Sequence, residues 1–131
     1  MQIRAGLHDL DKVVECIKQT QKPVVLLQGP VGAGKTTLVQ AFAKSMGQSG
    51  VRSPTFSIQQ VYGEDIYHYD LYNAGVDKFM ELGLFEELQK KGWHFIEWGE
   101  ELEDWLDQMG VEYLKVRIIP YGDKREYQCS Y

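Results

Sequence analysis

Residues 29–36 read Gly-Pro-Val-Gly-Ala-Gly-Lys-Thr, which satisfies the spacing G-x-x-x-x-G-K-[ST]. Each fixed position has a physical job. The glycines let the backbone curl so that successive N–H groups point inward at the oxygens of an anion. A helix beginning near Lys35 aims the positive end of its dipole at the same point. Lys35 supplies a cation for β- and γ-phosphates, and the Thr36 hydroxyl is placed to ligate Mg²⁺. Gly32, Ala33, Gly34, Lys35, Thr36 and Thr37 are therefore expected to cradle a triphosphate, that of ATP with Mg²⁺. A chance Gly-rich turn would not also fall between an apolar strand and an amphipathic helix, as this one does.

A metal on a triphosphate needs a carboxylate from the end of a neighbouring strand. In Trp93-His94-Phe95-Ile96-Glu97-Trp98-Gly99-Glu100 the apolar run stops at Glu97. Its side chain should emerge at the edge where open α/β sheets bind ligands. Glu97 is read as the metal-site acid beside Thr36, and Glu100 as a first-turn residue of the next helix. In His68-Tyr69-Asp70, an extended strand puts Ile66, His68 and Asp70 on one face and Tyr67, Tyr69 and Leu71 on the other. A carboxylate at Asp70 suits orienting the attacking water or holding a metal-bound water, and the plainer alternative is a surface or hairpin acid. The catalytic set is read as Lys35, Asp70 and Glu97. His68 stays open between a site residue and a structural histidine. Ser53-Pro54-Thr55 is open between a hydroxyl-rich segment near the γ-phosphate and a plain loop.

These side chains need elements to hold them. Leu10, Val13, Val14 and Ile17 predict a first helix over 10–21, with Asp9 as N-cap. Val24 to Gln28 is an all-apolar strand of the kind buried on both faces of a parallel sheet. The helix after the loop runs to about Met46, with Leu38, Val39, Phe42, Ala43 and Met46 inward and Gly47 as its stop. Strands are expected at 55–62 and 66–71, joined at Gly63-Glu64 by a type II′ turn. Residues 79–91 read as helical with a break at Gly83. Strand 93–97 follows, and then a helix with Leu102, Trp105, Leu106 and Met109 on one face. Strands at 113–121 and 125–131 flank Gly122-Asp123-Lys124. The alternation indicates an α/β, three-layer P-loop fold: a mixed, mainly parallel central sheet with antiparallel hairpins.

The 131 residues suit one domain, 1–131, and the 44% hydrophobic and 25% charged composition is that of a globular protein. No apolar run approaches the roughly 20 residues of a membrane span, and the N-terminus lacks a signal-peptide layout. Cys16 and Cys129 fit no metal or redox spacing and read as reduced thiols of a cytoplasmic protein. A net charge of −5 argues against strong direct binding to tRNA or other nucleic acid without a partner.

Taken in order, these segments resemble the TsaE family, the P-loop ATPases of bacterial tRNA threonylcarbamoyladenosine biosynthesis. The resemblance rests on residues 32–37, Ser53-Pro54-Thr55-Phe56, His68-Tyr69-Asp70-Leu71-Tyr72, Glu81-Leu82-Gly83-Leu84 and Ile96-Glu97-Trp98-Gly99-Glu100. It implies an ATPase, weak alone, that works with the transfer subunits TsaD and TsaB to modify adenosine 37 of tRNA. It also implies Mg²⁺ at Thr36 and Glu97, a need for Asp70 in hydrolysis, and Arg125 near the nucleotide base. This chain departs from the family with Asn73 where Arg is frequent, and with Pro30 where Asp is frequent. The competing readings are a small nucleoside or nucleotide kinase and a nucleotide-gated interaction module with negligible activity of its own. A kinase needs an Arg-rich acceptor site and a lid, yet the arginines are only Arg4, Arg52, Arg117 and Arg125. A GTPase lacks support, because no Asn-Lys-x-Asp segment is present.

Overall fold

The computed structural model describes residues 2–6, 8–30, 32–48, 51–52, 58–72 and 75–130. Ser53-Pro54-Thr55-Phe56 and Asn73 lie outside the described residues. The strands are β1 (Gln2–Ala5), β2 (Val24–Gln28), β3 (Val51–Arg52), β4 (Gln59–Tyr62), β5 (Ile66–Asp70), β6 (Trp93–Glu97), β7 (Leu114–Tyr121) and β8 (Lys124–Ser130). They form one sheet in the order β1-β8-β7-β2-β6-β5-β4-β3. β7, β2, β6 and β5 run parallel at its centre, and antiparallel pairs extend it on both sides. The helices are α1 (Asp11–Thr20), α2 (Lys35–Ser45), α3 (Gly75–Glu81), α4 (Leu84–Glu87) and α5 (Glu103–Gln108).

The strict alternation of β2 builds both faces of this P-loop fold. Val25 and Leu27 pack with Val13, Val14 and Ile17 of α1 and Leu38, Val39 and Phe42 of α2. Val24 and Leu26 pack against Phe79 of α3, Leu84 of α4 and Leu106 of α5. Helices therefore cover the sheet on both sides, which is the three-layer arrangement. Phe42 makes edge contacts with Trp93 and Phe95, and this lays α2 along β6. The N-terminus of α2 is thereby brought to the C-terminal end of β6, where Glu97 stands.

Several local expectations change. The N-cap of α1 falls on Leu10, with no side-chain cap, because Asp9 already closes a turn through its carbonyl to Lys12. The β4–β5 hairpin pairs Tyr62 with Ile66, so its loop has three residues, Gly63, Glu64 and Asp65, and not a two-residue type II′ turn. Met46 and Met109 are 40% and 55% exposed, because each lies at the C-cap of a helix that ends one residue earlier. The helical segment after β5 begins at Gly75, ahead of Phe79, and breaks at Gly83 as expected. Cys16 and Cys129 are both buried and form no disulfide. Burial and the adjacent Cys16 push the Cys129 thiol up to about 12. Among the described residues no helix is long and apolar enough to cross a membrane.

Candidate functional site

The chain leaves the buried strand β2 and must turn at once into α2. Gly32 and Gly34 make the turn with φ of 80° and 104°, a region that side chains rarely adopt. A Cβ at Gly34 would also stand 3.2 Å from Arg125 Nε. Ala33 points into the core, and its N–H donates to the Pro30 carbonyl at 3.0 Å. It shapes the loop without lining the cleft. α2 starts at Lys35, so its first-turn amides, which have no intrahelical carbonyl to reach, face the loop.

Lys35 is only 4% exposed. Its Nζ donates to the Gly29 carbonyl at 2.6 Å and lies 3.5 Å from the centre of the Trp98 ring. Burial pushes its pKa down, while the charges of Glu97, Glu100 and Asp70 pull it up. Trp98 itself holds φ of 60°, uncommon for a residue with a side chain, and Tyr72 packs on it with ring centres 4.9 Å apart. Nothing in the residue type of Trp98 announces this role. The one signal was its place directly after the predicted metal-site acid.

Glu97 ends β6 and is 4% exposed. The Thr36 hydroxyl donates to its Oε2 at 2.9 Å, and His68 Nε2 is bonded to the same oxygen. Burial alone would push the Glu97 carboxyl up. The bond and charge of His68, the Thr36 hydroxyl and the Lys35 ammonium together hold it below the ordinary carboxylate range. The β5–β6 register sets Asp70 beside Glu97. Asp70 is exposed, and its Oδ1 accepts the Tyr72 N–H at 3.0 Å. Arg125 at the start of β8 bonds the Gly32 carbonyl through Nη2 at 3.4 Å.

A cleft of ≈ 400 Å³ collects Gly32, Gly34, Lys35, Thr36, Thr37, Asp70, Glu97 and Arg125, with Tyr72 and Trp98 along its wall. Apart from Ala33, every residue predicted for the site thus meets in one place. A larger hollow of ≈ 1310 Å³ lies away from it, between the β4–β5 turn and the start of β6.

A glycine-rich loop between a buried parallel strand and a helix, with a strand-end carboxylate bonded to the helix threonine, defines a P-loop protein, a class that binds nucleotide phosphates. The comparisons with known proteins narrow the class. The family model described as "Threonylcarbamoyl adenosine biosynthesis protein TsaE" matches residues 5–127. The chain is similar to the tRNA threonylcarbamoyladenosine biosynthesis protein TsaE of Treponema pallidum, at 35% identity over 77% of each chain. It is also similar to that of Rickettsia felis, at 37% identity over 94% of this chain and 74% of the relative. Among solved structures, the crystal structure of Bacillus subtilis YdiB superposes with a TM-score of 0.67 and 26% identity, covering 97% of this chain and 82% of that one. The chain belongs to the TsaE family.

Proposed function

We propose that this protein binds ATP with Mg²⁺ and hydrolyses it slowly in the service of tRNA threonylcarbamoyladenosine formation at position 37. In this reading it works in the cytoplasm beside the TsaD–TsaB transfer subunits. The observation that carries the reading is the 2.9 Å bond between Thr36 and Glu97, which joins the phosphate loop to the strand-end acid. A hydroxyl and a carboxylate are hard oxygen donors, and Mg²⁺ takes few protein ligands when phosphates complete its shell. The donor set fits. Thr36 and Glu97 would hold the ion, and the chemistry it supplies there is neutralisation of charge on the β- and γ-oxygens.

The chain's own groups do the rest. Lys35 leaves the Gly29 carbonyl and the Trp98 ring to meet the phosphates, and the loop amides of Gly32 and Gly34 line their path. Asp70, exposed beside Glu97, orients the attacking water. Arg125, half-buried against Gly32, is the second cation of the cleft and lies toward the nucleotide.

ATP turnover of the purified chain, alone and with TsaD–TsaB, tests this reading. Turnover should be slow alone and rise with the partners. Asp70→Ala should keep ATP binding and lose turnover by roughly 10²-fold or more, the range for a positioned acid or base. Fast phosphate transfer to a nucleoside would replace this reading with a kinase.

A further inference from the structure

His68 is 3% exposed, yet among the described residues only one of its ring nitrogens finds a hydrogen-bond partner. Nε2 bonds Glu97 Oε2, whereas Nδ1 is buried without a hydrogen-bond partner among the described residues. A histidine kept for stability would satisfy both nitrogens, because an unpaired buried polar atom is a net cost. An apolar side chain would fill the same space between Ile66 and Asp70 without that cost. What His68 adds is a single N–H on one oxygen of the metal-site acid.

Oε2 receives two bonds, and they have different fates. The Thr36 hydroxyl sits at the start of α2 beside the phosphate cradle, so ligating a metal there draws it away from Glu97. Lys35 does not replace it: its Nζ bonds the Gly29 carbonyl over the Trp98 ring in this structure and turns to the phosphates when the nucleotide is bound. His68 is fixed by β5 and packs beneath Glu97 on the same face of the sheet, so its bond persists. Among the described residues, both hydrogen bonds to the carboxylate fall on Oε2 and none on Oε1.

We propose that His68 is a positioning residue: its Nε2–H pins Glu97 Oε2 and leaves Oε1 turned to the metal when Thr36 lets go. This rests on the Mg²⁺–ATP reading of the cleft. Groups that hold a ligand in this way change metal affinity when they are removed, without touching the metal themselves.

The test measures the affinity of a fluorescent ATP analogue in Mg²⁺ and in EDTA for the full chain, with the melting temperature of each variant. In His68→Leu the Mg²⁺/EDTA affinity ratio should fall by about tenfold or more, with EDTA affinity unchanged. His68→Gln, whose amide N–H reaches the place of Nε2–H, should keep the ratio within about threefold of wild type. A His68→Leu protein with the wild-type ratio would overturn the proposal, as would a Gln variant as impaired as Leu. If Leu prevents folding, His68→Asn, too short to reach Oε2, should lose the ratio where Gln keeps it, and equal ratios would overturn the proposal. A wild-type protein without Mg²⁺ dependence would instead overturn the Mg²⁺–ATP reading, and this proposal with it.

Discussion

The two faces of the β5–β6 pair carry two buried histidines that differ in almost every contact. On the face under α2, His68 shares its row with Ile66 and Asp70, beside Phe95 and Glu97 of β6. On the opposite face, His94 stacks on Tyr67 at 4.6 Å and 5° between ring planes. His94 has both nitrogens satisfied: Nδ1 pairs with the Tyr69 hydroxyl and Nε2 with the Lys90 carbonyl, each at 2.9 Å. That carbonyl can only accept, so Nε2 carries the proton and the Tyr69 hydroxyl donates to Nδ1. His68 instead gives its one bond to an acid at the sheet edge. Burial is nearly equal, 3% against 1%, so burial does not separate a site histidine from a structural one. The destination of the hydrogen bonds does.

That contrast predicts separable damage. The largest effect belongs to the α2 face: Lys35→Ala removes the loop's only side-chain cation and should weaken ATP binding by about 10²- to 10⁴-fold. This is what losing charge-assisted bonds to two phosphates, about 3–6 kcal/mol in all, would produce. Isothermal titration calorimetry reads it directly, and binding retained within a few-fold would break the assignment. On the opposite face, His94→Leu should cost about 1–3 kcal/mol of stability, because the Tyr69 hydroxyl loses a buried bond and the Lys90 carbonyl a partly buried one. Urea denaturation measures that loss, and nucleotide affinity should not change. A His94 variant that lost nucleotide binding would erase the distinction between the faces.

The smallest effect is in acid. Burial holds the His94 imidazole below its ordinary 6.5, while the bond to the Lys90 carbonyl and the charge of Glu87 pull it upward. A depressed folded pKa means that the unfolded chain takes the proton first. Stability is therefore fully present above about 6.5 and is lost as pH falls toward the folded value. Glu97, also depressed, adds a second loss below its ordinary 4.5. Melting temperature against pH should show both limbs in wild type and only the lower one in His94→Leu.

The elements nearest the chemistry were the most legible in the sequence. β2 and β6 fall within their expected bounds, because short apolar runs between turn residues leave little choice of strand ends. Glu97 could be found because it terminates such a run. The His68–Glu97 bond could not, since it depends on the register that sets His68 beside Phe95 and Asp70 beside Glu97. β1 and β3 are hard to read from the sequence for a related reason. Each is short and exists through pairing, β1 with β8 and β3 with β4, more than through its own pattern. Trp98 was hidden because its left-handed backbone places the ring over Lys35, and no residue-type preference announces that conformation.

Glu97→Gln is the most direct test of the proposal that the Thr36–Glu97 pair holds Mg²⁺ for a bound triphosphate. The amide keeps the shape of the side chain and removes its charge. Titrating Mg²⁺ into the chain with the fluorescent ATP analogue, wild type should bind the nucleotide more tightly as the metal rises. Glu97→Gln should need at least about tenfold more Mg²⁺ for the same gain. A Gln variant whose Mg²⁺ titration overlays that of wild type would contradict the account.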